Sequence, residues 1–89
     1  MEVKVHNMKN SKGNSVDQFI IETEKGAYFQ SGKSIIAFRP KEGLIQLDKN
    51  VWNCSSTTGK YRNKFLGENI KETKKKIAIG EYILTELNE

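Results

Sequence analysis

Up to Leu47 the hydrophobic positions alternate with polar ones at short range. Val3 and Val5 alternate with Lys4 and His6, which predicts a short edge strand. Val16 to Glu24 puts Phe19, Ile21 and Thr23 on one side and Ile20 on the other. Lys25-Gly26 supplies a hairpin turn before a strand over Ala27 to Ser31. Gly32-Lys33 predicts a break or bulge, with the strand continuing from Ser34 to Arg39. There Ile36 and Phe38 face one way, and Ile35 and Ala37 the other. Pro40-Lys41-Glu42-Gly43 is a turn with Pro early and Gly late. Leu44 to Leu47 is a further strand, closed by the polar Asp48-Lys49-Asn50. Asn7 to Ser15 is polar and rich in turn formers, which predicts a flexible loop over 7–15.

After Trp52 the period lengthens. Ser55, Ser56, Thr57 and Thr58 offer hydroxyl oxygens to the free N–H groups of a helix start, so a short helix is expected to begin near Thr57 or Thr58. Tyr61 and Phe65 are four apart, Leu66 widens their face, and Gly67 is a stop. Asn69 and Glu72 have the spacing of a capping box. Ile70, Thr73 and Ile77 then make an apolar stripe that ends at Gly80. Two short helices are therefore expected, over 57–66 and 70–79. Glu81 to Leu87 alternates again and reads as a last strand.

This order predicts one domain over 1–89 of the α+β class. Hairpin-linked strands make a mainly antiparallel sheet of four to six strands. The two helices pack on one face, and the final strand returns to the sheet, where pairing with an early strand is open to it.

Trp52, Ser56-Thr57-Thr58, Lys60-Tyr61-Arg62-Asn63, Phe65-Leu66, Glu72-Thr73, Lys76-Ile77, Gly80 and Tyr82 form an ordered pattern, preceded by Tyr28-Phe29-Gln30-Ser31. It resembles small uncharacterised proteins encoded by bacteriophages and plasmids. The resemblance implies a bacterial setting and carries over no activity or functional residue.

Composition narrows the function. The net charge is +4, and of 15 basic residues only Arg39 and Arg62 are Arg. Lys is a point charge suited to phosphate oxygens, whereas Arg is the usual bidentate reader of guanine. The single Cys, Cys54, excludes an internal disulfide and fits a reducing compartment. Its expected role is that of a small buried apolar residue. No apolar run is long enough to span a bilayer, and no signal peptide is evident. A cytoplasmic protein of the host bacterial cell is expected, with no membrane partner.

No catalytic set emerges. His6 is the lone His, and with Cys54 it falls short of a zinc site. Gly59-Lys60 follows a hydroxyl run at a helix start, but Tyr61 stands where a phosphate-binding loop needs Ser or Thr. A simple cap explains those hydroxyls better. Glu68 and Glu72 suit the positive end of a helix dipole, and Glu72 can support Lys76 four residues on. No enzyme, cofactor, metal or catalytic residue is expected. The one candidate surface is a basic patch of Lys60, Arg62, Lys64, Lys71, Lys74 and Lys75. The preferred expectation is a small accessory protein that binds a host or defence protein. The alternative is non-specific nucleic-acid binding through this patch. A core this thin also makes a homo-oligomer an open expectation.

Overall fold

A computed structural model describes residues 2–88. Its strands are β1 Lys4–Lys9, β2 Ser15–Thr23, β3 Gly26–Ser31, β4 Ser34–Pro40, β5 Ile45–Asp48 and β6 Tyr82–Thr85. They form a six-stranded sheet in the order β1-β2-β3-β4-β5-β6. The helices α1 Ser56–Leu66 and α2 Ile70–Ala78 lie between β5 and β6 in the chain. This is the expected α+β arrangement, with the final strand in the sheet.

Three details depart from the pattern. Strand β6 pairs with β5, in parallel, and not with an early strand. Strands joined by a long crossover run in the same direction, and here the two helices are the crossover. Strand β1 extends through Asn7 to Lys9, so the turn shrinks to 10–14. Asn7 makes this possible: its side-chain amide donates to the Gln18 and Val16 carbonyls where the β1–β2 register shifts. Asn10 then closes the turn by accepting from the Lys12 and Asn14 N–H groups. Finally, Gly32-Lys33 is the turn of an antiparallel hairpin, with Ser31 opposite Ser34. The irregularity lies deeper, at Phe29/Gln30, and leaves Ile36 as the extra residue of β4.

The register decides which face each side chain takes. Ile20, Phe29, Ala37, Leu47 and Leu84 lie opposite one another across five strands. Both helices pack on this face. The Phe29 and Phe65 rings stack at 5.8 Å, and Tyr82, on the same face of β6, reaches Glu68 before α2. The core is Phe29, Ile36, Ala37, Leu47, Tyr61, Phe65 and Tyr82.

Gly26 is fixed by this geometry. Its φ of +145° suits only Gly, and a Cβ there would lie 2.2 Å from the Arg39 carbonyl oxygen.

Asp48 holds the far end of the sheet. It is buried, and its carboxylate accepts from the N–H groups of Asn50, Val51 and Leu87 at 2.8–3.1 Å. The chain after β6 thereby crosses the end of β5 and reaches β4. There the Asn88 amide pairs with both the N–H and the C=O of Ile35, at 2.7 and 2.8 Å. Burial alone would raise the Asp48 pKa. The hydrogen bonds from Leu87, Asn50, Asn88 and Val51 outweigh it and hold the carboxyl below its ordinary 3.8.

Asp48→Asn turns one acceptor into a donor facing backbone N–H groups. A loss of about 1–3 kcal/mol is expected, read as a lower urea midpoint at unchanged slope. The folded pKa is depressed, so this carboxylate's stabilisation is complete above pH 3.8 and fades as the pH falls through the folded value. The variant should lose that part of the acid-unfolding response.

Candidate binding surfaces

The first turn of α1 is a cap built into the sheet. The helix begins at Ser56, one residue before the expected 57–66, and Ser55 is its N-cap, with a hydroxyl that accepts from the Thr58 N–H at 3.1 Å. The Thr58 hydroxyl is buried and lies 3.0 Å from that of Ser31 on β3. Ser55 and Thr58 are thus engaged within the protein, while Ser56 and Thr57 are exposed. Cys54 is exposed in the preceding turn, contrary to its expected burial, and its Sγ lies 3.6 Å from the Thr58 hydroxyl. The cap uses the hydroxyls beside it, and the thiol is left at the surface. His6 pairs with Glu22 across β1 and β2 at 2.6 Å.

Arg62 is the main correction to the basic patch. It is only 1% exposed. It lies on the inner side of α1 between the buried Tyr61 and Phe65. One terminal nitrogen donates to the Trp52 carbonyl and the Asn53 side chain, and the other to the Asn63 side chain, each at 3.0 Å. The guanidinium also lies 5.3 Å from the Trp52 ring centre. Burial pushes its pKa down, and the charge of Glu68 pulls it back up. Arg62 therefore joins the 52–53 turn to the helix and offers nothing to a partner. A hollow of about 610 Å³ lies outside it, lined by Ser55, Ser56, Gly59, Lys60 and Ile70 among others. Arg39, on β4, stays exposed while one guanidinium nitrogen donates to the Phe65 carbonyl and the group lies over the Phe65 ring.

The second polar centre is Glu68, whose side chain is 4% exposed. One oxygen accepts from Lys76 at 2.7 Å and Tyr82 at 2.8 Å, and the other from Thr73 at 2.6 Å. Burial would raise its pKa, but the hydrogen bonds from Lys76, Thr73 and Tyr82 hold it below 4.5. Lys76 thus pairs with Glu68 and not with Glu72. Glu72 is occupied by the capping box, accepting from the Asn69 N–H while its own N–H donates to Asn69.

The other five patch residues are exposed. Lys60 and Lys64 sit on α1, with ammonium groups 5.6 and 4.9 Å from the Tyr61 ring centre. Lys71, Lys74 and Lys75 sit on the side of α2 away from the buried Thr73. Charge is segregated in the fold. Ser55 to Gly80 holds seven basic and two acidic residues, and the rest of the chain eight and nine. The helical layer therefore carries the whole positive excess.

The opposite sheet face is a second surface, which the basic patch did not anticipate. Val5, Ile21, Tyr28, Phe38, Gln46 and Ile83 lie in one row across all six strands. Asn7, Phe19, Gln30 and Ile35 form the next. The Tyr28 and Phe38 rings stack at 4.3 Å. The signal was present in the sequence: Ile20-Ile21, Tyr28-Phe29 and Ile35-Ile36 put apolar side chains on both faces of a strand.

The features that define this chain are a one-sided α+β sheet, a basic helical layer and polar centres at Arg62 and Glu68. The chain belongs to DUF8033, a family of unknown function, over residues 1–81. Comparison with curated proteins and with solved structures found no match. Among the described residues no helix is long and apolar enough to cross a membrane.

Arg62→Lys keeps the charge but removes the fork that serves three acceptors. It is expected to cost about 1–3 kcal/mol in chemical denaturation. Lys64→Gln, at an exposed site, should stay within about 0.5 kcal/mol of wild type.

Proposed function

We propose that this is a non-enzymatic accessory protein whose helical layer binds the phosphate backbone of nucleic acid without reading its sequence. The observation that carries this reading is the exposure of Lys60, Lys64, Lys71, Lys74 and Lys75 on one layer. Among the described residues, none of these five forms an ion pair. Arg62, the one arginine of the helical layer, is buried and engaged internally, which removes the usual bidentate reader of guanine from that layer. Point charges on flexible stems suit phosphate oxygens of any sequence. The resemblance to phage- and plasmid-encoded proteins supports a bacterial cytoplasmic setting.

A second reading keeps the surface and changes the partner to a host or defence protein with an acidic face. Ile79 favours it. It is 59% exposed at the end of α2, beside a hollow lined by Lys75, Lys76 and Glu81. An apolar anchor next to a cation serves a protein interface better than a phosphate chain.

Fluorescence anisotropy with labelled oligonucleotides over a salt series tests the first reading. Affinity should fall with salt and be indifferent to scrambling of the sequence. On duplex DNA, replacing Lys71, Lys74 and Lys75 by Gln should weaken binding and reduce the log–log salt slope by about 2.7, near 0.9 per lost phosphate contact. Absence of binding at low salt, together with a protein captured from nuclease-treated bacterial lysate, would overturn it in favour of the second reading.

A further inference from the structure

We infer that the open face of the sheet is a homodimer interface, in which two copies pack face to face about a two-fold axis. The inference does not rest on the nucleic-acid reading. It starts from what covers each face. Neither helix packs on the row running from Val5 to Ile83, because both are committed to the side bearing Phe29 and Tyr82. Val5, Phe19, Ile21, Tyr28, Ile35, Phe38 and Ile83 belong neither to the core nor to the residues packed against it. At the two edges of the row, Val5 is 61% and Ile83 44% exposed.

Charge identifies the occupant. The two rows hold ten positions and no ionisable group except the Tyr28 phenol. At the chain's average of 29% charged residues, about three of the ten would be charged. Depletion of charge with enrichment of aromatics marks the centre of a protein interface. A partner of opposite charge has nothing to recognise here. A second face of the same kind matches it: largely apolar and neutral. The amides of Gln30 and Gln46 can both donate and accept, so they can complement their own copies across a two-fold. Lys9 and Asp17, near the β1–β2 turn, give the patch a polar rim.

Area and repulsion both permit the pairing. Six strands about 4.8 Å apart, with about six residues each, make a flat footprint of roughly 500–600 Å². Corrugation by side chains brings this toward the roughly 800 Å² per partner of a standard interface. Two sheets packed this way lie about 10 Å apart. The basic helical layers then point outward, each separated from the interface by its own sheet. The molecule's shortest extent is 24 Å, so the two layers lie well beyond the screening length of about 8 Å at physiological salt.

Light scattering coupled to size exclusion, across the micromolar range, tests the inference. The expected mass is twice the chain's 10.2 kDa. Phe38→Lys, at the centre of the row, and Ile83→Lys, at its exposed edge, should each return the mass to 10.2 kDa with the far-UV spectrum retained. Should Phe38→Lys fail to fold, Ile83→Lys decides alone. Lys75→Gln, on the far layer, should leave the dimer intact. A monomer at every concentration, a dimer that survives the folded variants, or a monomer that binds a different protein on this face would each overturn the inference.

Discussion

Two short helices cannot cover both faces of a six-stranded sheet. Helices α1 and α2 have eleven and nine residues, or about 16 and 13 Å of axis. The sheet they cover is roughly 24 Å across between its outer strands. One layer over one face is all that such a chain can build. The apolar core is confined to the side where Phe29, Leu47 and Tyr82 meet Tyr61 and Phe65. The remaining stability has to come from polar groups placed with care. The opposite face keeps its aromatic side chains at the surface.

The polar groups divide the fold's joints among them. Asp48 fixes the end of β5, the turn that follows it and the returning chain at Leu87. Arg62 fixes that turn to α1 at Trp52 and Asn53. Glu68 fixes the joint between the helices to α2 through Thr73 and Lys76, and to β6 through Tyr82. A single carboxylate or guanidinium serves three or four donors or acceptors at each joint. This suits a small chain, because one side chain then orders several segments. It also makes the fold sensitive at those positions: removing one member leaves buried partners unsatisfied, which costs more than the bond itself contributed.

Features held within a few residues were legible in the sequence. The capping box of Asn69 and Glu72, the Tyr61–Phe65 face and the Gly67 stop all depend on neighbours three or four positions away. The hairpin between β2 and β3 was legible for the same reason, although its turn is Glu24-Lys25 and Gly26 already pairs with Thr23 in the ladder. Arg62 misled because Lys60 and Lys64 flank it in the chain, although a residue two positions from each lies on the other side of the helix, and its partners Trp52 and Asn53 lie in the preceding turn. Lys76 could reach either Glu68 or Glu72, and only the fold decides for Glu68. The place of β6 beside β5 depends on where two helices deposit the chain, which no local pattern records. Of the basic patch, five lysines are exposed, and Arg62 takes the buried side of α1 that it shares with Tyr61 and Phe65.

The two surfaces are linked by the arrangement of charge. If lysines were spread over both sheet faces, a neutral apolar patch could not form on either. Concentrating six of them in the helical layer goes with two central rows of the opposite face that carry no charge inside the rim of Lys9 and Asp17, and are free to meet their own copy. The same segregation limits what such a dimer could do with nucleic acid. Its basic layers face in opposite directions, so one duplex segment would not bridge them. Each copy would hold its own segment, and the salt dependence of one binding event would report five lysines rather than ten. Pairing two copies would therefore bring two segments together without tightening the grip on either.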